Sequence, residues 1–428
     1  MIRAAAAALA LATLVALTPP GAESATAVVD LGGSRAYVRP DPGLTLCGIS
    51  LFVRAGLDRQ TGDQNGLAAL VAQSILQTPV DGMPLVDAVA ARGGELAVHV
   101  SPQYVRFYLE APGPALPALA TLVAGALAAP SFDAALTAAR TTLTAQIAAD
   151  ERDPRRVGMQ MLLSARYIGG AGMPPRGTPS SLAGFNPADA RAFYHQWYLR
   201  GDTFVTVVGQ TGVASDAASR ALVAAIPPGS SGPLPTLATR DFAPLPKRLV
   251  TRRDVYVPFV VLGFAAPSLG DTDFGAALVF RTMLSQVLER DSAATQPVLL
   301  RPGGTMYTYD TAPAFMSVWL NGGRLDPTEG LSAIDEVLKR AAAQPLQAAI
   351  VTRFKERARG EWALEALSLK ARTWELGNAL ALGLDADISS QVDGAIARVT
   401  PADLQRVAKR YFQRFDVALV LPREGSGG

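Results

Sequence analysis

Apolar and polar residues alternate with a period of two over Glu95–Val100 and again over Tyr104–Leu109, which predicts two antiparallel strands. The stretches Phe132–Asp150 and Leu331–Ala343 space their apolar residues for amphipathic helices instead. Leu51–Ala55 and Val261–Ala265 read as strands, each followed by a polar loop and an Ala-rich helix at Gly66 or Gly275. In Gly66–Leu76, Leu67, Leu70, Val71 and Ser74 to Ile75 form an apolar face, so this helix is expected to pack against a core.

Part of this pattern occurs twice. Pro187-Ala188-Asp189 opens a helix through Phe193, Trp197 and Tyr198, followed by Arg200, Asp202 and the strand Thr203–Val208. The same order recurs 214 residues later, where Pro401-Ala402-Asp403 opens a helix through Val407, Tyr411 and Phe412. Arg414, Asp416 and the strand Val417–Leu421 complete the second copy. Asn186 and Thr400 stand at the two N-caps, each followed by Pro at the first helical position. Matches in register at several places imply a duplicated domain. The Pro/Gly/Ser-rich stretch from Pro227 to Pro233 separates the copies. The expected organisation is one domain over 28–226, a linker over 227–239, a second domain over 240–422 and a flexible tail over 423–428. The fold class is α+β: two duplicated domains, each a mainly antiparallel sheet covered by helices.

Residues 1–27 read as an export leader. Arg3 supplies the positive start, Ala4 to Leu17 the apolar run, and Ala25-Thr26-Ala27 the small-x-small cleavage signal. That run is too short for a membrane-spanning helix, which needs ~20 apolar residues, so no transmembrane anchor is expected. Ala115–Ala129 is also apolar, but Pro117 and its polar flanks make it a buried helix. Export to a periplasm is the expected destination.

Across the 428 residues, 39 Lys plus Arg nearly balance 37 Asp plus Glu, for a net charge of +2. So even a balance provides no field to hold nucleic acid or an anionic membrane. Cys47 is the only cysteine, so no intrachain disulfide can form, and it reads as a small buried side chain. The two histidines, His99 and His195, fit no metal-ligand spacing and read as hydrogen-bonded structural residues. No G-x-S-x-G elbow, Walker A motif or dinucleotide glycine pattern is present. The acidic pair Asp150-Glu151 is explained by surface solvation.

The frame from Gly66 to Gln73 resembles the G-L-A-H-x-x-E-H helix of the insulinase/pitrilysin family, the inverted-motif zinc metallopeptidases. In that family the two His bind zinc and the Glu activates the zinc-bound water. Here Ala69 stands at the first His position, Ala72 at the Glu and Gln73 at the second His. The family's third ligand is a Glu in an E-(I/L/M) pair, seventy-odd residues downstream and shortly before an acidic D-P turn. Gln146-Ile147 followed by Asp153-Pro154 occupies that frame, with Gln146 at the ligand position. The resemblance therefore implies a member without zinc or catalytic residues in this chain.

The family also carries an Arg and a Tyr, in an R-x-x-x-G-L-x-Y pattern, that contact the substrate backbone. The run Arg301 to Tyr307 resembles it, one residue short, so Arg301 and Tyr307 are the candidate substrate-binding residues, with Tyr309 an alternative occupant of the Tyr role. Family members of this length form half of a clamshell chamber around an unfolded peptide. Some zinc-bearing chains pair with a chain that lacks the motif. The resemblance thus implies a non-catalytic, exported subunit of a heterodimeric zinc peptidase, with zinc held by a homologous partner. The alternative is a self-associating peptide-binding or scaffold protein with no enzymatic partner. An autonomous enzyme using other residues is the third reading.

Overall fold

The computed structural model describes residues 25–232, 238–241, 247–294, 301–308, 313–321 and 327–423. Most of the expected leader, part of the linker and the last five residues lie outside them. The strands in the first half are β1 Ala27–Asp30, β2 Arg35–Pro40, β3 Leu46–Val53, the two-residue β4 Pro79–Val80 and β5 Met83–Pro84, β6 Glu95–Val100, β7 Val105–Pro112, the short β8 Tyr167–Ile168, and β9 Thr203–Gly209. The second half has the short β10 Ala238–Thr239, β11 Arg248–Arg253, β12 Phe259–Ala266, β13 Arg301–Thr308, β14 Ala314–Asn321 and β15 Phe415–Pro422. The first eight helices are α1 Leu67–Leu76, α2 Leu85–Ala90, α3 Leu116–Ala128, α4 Phe132–Arg152, α5 Pro154–Arg166, α6 Pro179–Gly184, α7 Pro187–Trp197 and α8 Val213–Ala225. Then come α9 Phe274–Ala294, α10 Pro327–Ala343, α11 Ala348–Glu365, α12 Leu369–Ala381, α13 Ile388–Ala397 and α14 Pro401–Tyr411.

Each half builds one large sheet. The first sheet has the order β1-β2-β9-β3-β7-β6 and the second β11-β15-β12-β14-β13. Within each, one pair is parallel, β2 with β9 and β11 with β15; the other pairs are antiparallel. The expected α+β class with two similar units is the observed fold. The repeat is visible in its details. Asn186 accepts the Ala188 and Asp189 amides at 2.8 and 3.2 Å, and Thr400 accepts that of Asp403 at 3.2 Å. In both copies the Asp carboxylate returns to the cap residue's own N–H. Such reciprocal caps satisfy donors that the first helical turn leaves unpaired. The buried strands that follow, β9 and the first six residues of β15, are covered on both faces and therefore read as near-continuous apolar runs.

The halves exchange helices. α5, from the first half, packs on β12 and β15, where Met159, Leu162 and Tyr167 meet Val261, Phe315 and Ala418. α12, from the second half, packs on β3 and β9, with Leu369 and Leu376 against Val208, and Ala381 beside Phe52 and Phe204. Two glycines let these helices approach. A Cβ at Gly158 would fall 2.5 Å from Val261 Cγ2, and one at Gly377 would fall 2.0 Å from the Phe52 ring.

Two boundaries differ from the sequence expectation. Thr26 Oγ1 donates to Asp387 at 2.6 Å and Ala27 pairs with Val38, so the last residues of the expected leader belong to the fold. Residues 227–232, read as linker, are pinned to the turn at Arg200–Asp202. The Asp202 carboxylate accepts from the Ser230 hydroxyl and the Ser231 amide, at 2.7 and 2.6 Å. Proline and glycine content gave no sign of that anchor.

Candidate functional site

α1 is buried along its whole length, beyond the single apolar face expected. Its start depends on two glycines in contact. Gly66 (φ +97°) and Gly177 (φ +74°) both occupy the left-handed region, and a Cβ on Gly66 would lie 2.9 Å from the Gly177 Cα. Side chains are strained there on both counts. No side chain of the N-cap residue serves the helix; the Gln60 side-chain oxygen accepts from the Ala68 amide at 2.8 Å instead.

This arrangement places Ala69, Ala72 and Gln73 in the interior, 4%, 0% and 7% exposed, on a helix that packs against α4. Residues 69 and 73 are one turn apart and share a face. Gln146 lies on the exposed side of α4. Its amide oxygen accepts from Arg176 Nε at 2.9 Å, and the same guanidinium pairs with the Asp150 carboxylate. Asp150 also takes Arg156 at 3.0 Å, so solvation alone does not account for it.

These residues do not fit a zinc ion. Zinc takes thiolate, imidazole or carboxylate donors, whereas the four positions supply two methyl groups and two neutral amides. The Arg176 guanidinium bound to Gln146 adds positive charge at that position. Among the described residues no three His, Cys, Asp or Glu side chains cluster.

Arg176 also walls a cleft of about 670 Å³ between the two halves. One side comes from the end of α4, from α5 and from residues 174–178; the other comes from Arg253, Val261, Ser317 and Trp319 of the second sheet. Met159, Met161 and Leu163 make much of it apolar, and Arg155 holds its guanidinium 5.9 Å from the Trp319 ring centre. Ser317 Oγ is buried and has no hydrogen-bond partner among the described residues. The lining thus joins apolar surface to charged groups of both signs, among them Asp150, Asp153, Arg155 and Arg253, and suits a ligand that carries both. Sequence reasoning missed Arg176, Ser317 and Trp319, because only the tertiary fold brings them together.

The histidines depart from the expectation of hydrogen-bonded structural residues. Both are exposed, and neither ring makes a hydrogen bond among the described residues. His195 stacks edge-on against Tyr194 at 5.7 Å. His99 keeps water-accessible surface although protein closes around it on most sides. That enclosure, followed by the charges of Arg106, Arg176 and Lys370, lowers its pKa to about 4. Cys47 is fully buried, which pushes its thiol up to about 12 and leaves it unreactive.

Tyr307 is buried rather than presented to a ligand. Its ring packs edge-on against Phe274 at 5.5 Å, and its hydroxyl donates to the Pro267 carbonyl. Burial raises its pKa well above the ordinary phenol value. Tyr307 points into the helix-covered core of the second half, so in this geometry its hydroxyl does not meet a peptide. Arg301 begins β13, opposite Asn321, and its side chain lies outside the described residues, as does all of Tyr309.

No known sequence family and no curated protein matches the chain. Solved structures do match in fold. A protease from Helicobacter pylori has a TM-score of 0.78 at 14% identity, over 93% of this chain and 99% of that one. A peptidase M16 inactive domain from Pseudomonas fluorescens also has 0.78, at 15% identity, over 93% of this chain and 98% of that one. A chain of complex III2 from Candida albicans has 0.75 at 14% identity, over 93% and 95%. Likeness at that identity establishes a shared fold.

Proposed function

We propose that this chain is a non-catalytic insulinase/pitrilysin-type (M16) homologue that completes the chamber of an exported heterodimeric zinc peptidase. Its partner is a homologous chain that holds the zinc, and its ligand is unfolded peptide. The observation that carries this reading is the donor set at the vacated frame. Ala69, Ala72, Gln73 and Gln146 hold neither ligand nor base, while α1 and α4 keep the packing that would present them. The fold shared with an inactive peptidase domain supports it. The cleft beside Arg176 offers a surface for peptide, and Arg301 is the proposed substrate contact. Tyr307, with its hydroxyl turned to Pro267, is left as packing. The leader-like start of the chain, Arg3 followed by the apolar run Ala4 to Leu17, supports export, to a periplasm where the cell has one.

Affinity capture of the tagged chain from its native host tests this. The expected result is a homologous chain with intact H-x-x-E-H, and peptide hydrolysis that needs both chains and is abolished by a chelator. Capture of the chain alone, or chelator-sensitive hydrolysis by the purified chain, would falsify the subunit assignment.

A further inference from the structure

The two sheets differ at one edge. In the first, β1 covers the outer side of β2 as an antiparallel strand, with Val28 opposite Tyr37 and Asp30 opposite Arg35. In the second, β11 holds the place of β2: Arg35 lies beside Phe204 of β9, and Leu249 beside the equivalent Ala418 of β15. By the 214-residue repeat Arg35 and Arg39 correspond to Leu249 and Arg253, so the outward-facing Arg248 and Arg252 are particular to the second copy. Among the described residues nothing corresponds to β1, and no strand pairs with the outer side of β11. The chain just upstream is held elsewhere: Ala238–Thr239 pair with Tyr167–Ile168, and the Arg240 amide donates to the Arg166 carbonyl at 2.7 Å.

Backbone groups of β11 alternate between β15 and the outer side. The Lys247 carbonyl accepts from Val417 and the Arg253 carbonyl from Arg423, at 2.8 and 3.1 Å. Alternate residues of a strand turn their N–H and C=O to the same side. Lys247, Leu249, Thr251 and Arg253 therefore face β15, and Arg248 and Val250 present theirs outward. Val250 is 57% exposed and lies between the exposed Arg248 and Arg252, while Leu249 packs beneath α5.

We propose that the outer edge of β11 is a docking site for an extended apolar-acidic segment of a partner chain, which adds to the second sheet as an antiparallel strand. Main-chain bonds to Arg248 and Val250 hold it, an apolar residue lies beside Val250, and a carboxylate two residues away along the added strand faces Arg248. A second copy of this strand is a poor occupant. Two β11 strands paired antiparallel about Val250 would set Arg248 opposite Arg252, and like charges directly opposite are destabilising. Cations on an edge also deter strand pairing in general, which is why the occupant must be acidic. The proposal is independent of the peptidase-subunit reading, since it involves neither the vacated frame nor the cleft.

The probe is a terminally blocked, fluorescein-labelled peptide with the sequence of Thr26–Leu31, the strand this fold already uses at the equivalent edge. Anisotropy titration and hydrogen-exchange mass spectrometry of the full chain are expected to show saturable binding and slower exchange over residues 247–254. Val250→Pro removes the outward N–H and should abolish both, with thermal melting confirming that the variant is folded. Arg248→Glu, which leaves the backbone untouched, should weaken binding roughly five- to tenfold. A peptide with Lys in place of Asp should bind more weakly by a similar factor. The proposal is overturned by an absence of protection at millimolar peptide, by equal binding of the Asp and Lys peptides, or by protection of 247–254 that rises with protein concentration alone.

Discussion

The two exchanged helices meet their sheets in different ways. α12 is stitched to the first sheet by polar contacts. The buried Arg106 guanidinium donates to Ser50 at 2.8 Å, to the Lys370 carbonyl at 2.6 Å and to Thr373 at 2.8 Å. Thr206 donates to the Thr373 carbonyl at 2.9 Å, and the Trp374 indole donates to the Tyr104 hydroxyl at the same distance. Arg372–Asp41 and Lys370–Glu95 pairs close the rim at 2.8 and 2.7 Å. α5, by contrast, meets the second sheet through apolar side chains, with a cleft opening beside it and Ser317 left unpartnered there. A satisfied polar network fixes one arrangement, whereas an apolar contact edged by open space can admit a ligand. The first contact is a framework, and the second leaves open space beside it.

The difference can be broken by overpacking each contact. Gly377→Ala drives a methyl group into the Phe52 ring and should cost about 3 kcal/mol, read as a lowered denaturation midpoint. Gly158→Ala meets the Val261 side chain at 2.5 Å and Ala418 at 3.7 Å, beside a cleft into which Val261 can shift, and should cost about 1 kcal/mol. Equal losses would mean that the α5 contact is as rigid as its counterpart.

Removing polar groups sharpens the contrast. Arg106→Ala strips three hydrogen bonds from buried partners and should cost about 2–3 kcal/mol. Ser317→Ala removes a hydroxyl that has no partner among the described residues and should change stability by less than about 1 kcal/mol, in the stabilising direction. A large loss at Ser317 would show a partner at the cleft wall and undo the comparison.

The smallest effect is one of pH. His99 has its pKa lowered from 6.5 to about 4, so between those values the unfolded chain binds more protons than the folded one. Stability then rises with pH. The contribution is intact above pH 6.5 and is lost as pH falls towards 4. Thermal melts of wild type and His99→Gln should diverge in that window and coincide above it; parallel curves throughout would remove His99 from the account.

Much of this molecule could be read from the sequence. The caps at Asn186 and Thr400, the hairpin β6–β7 and the repeat are local signals, set by short-range hydrogen bonding and by side-chain period. The run Ala69, Ala72 and Gln73, proposed as vacated zinc positions, lies within one helical segment whose formation was legible for the same reason. The exchange of α5 and α12 was not legible, because an amphipathic helix shows that it needs a cover but not which sheet supplies it. Arg176 was hidden by its dependence on the Gly66–Gly177 contact, although the string Pro174-Pro175-Arg176-Gly177 marked a constrained turn. The burial of Tyr307 could have been anticipated from alternation along its strand, had the strand's covered face been known.

The central claim is that α1 and α4 still frame a metal centre whose ligands have been replaced. Restoring Ala69→His, Ala72→Glu, Gln73→His and Gln146→Glu together, with Arg176→Ala so that its guanidinium does not neutralise the new carboxylate at position 146, tests it directly by titration calorimetry with zinc. The account predicts about one zinc bound per chain, against none at the same positions in the parent. A folded variant that takes up no zinc would contradict it, because the four positions would then not converge.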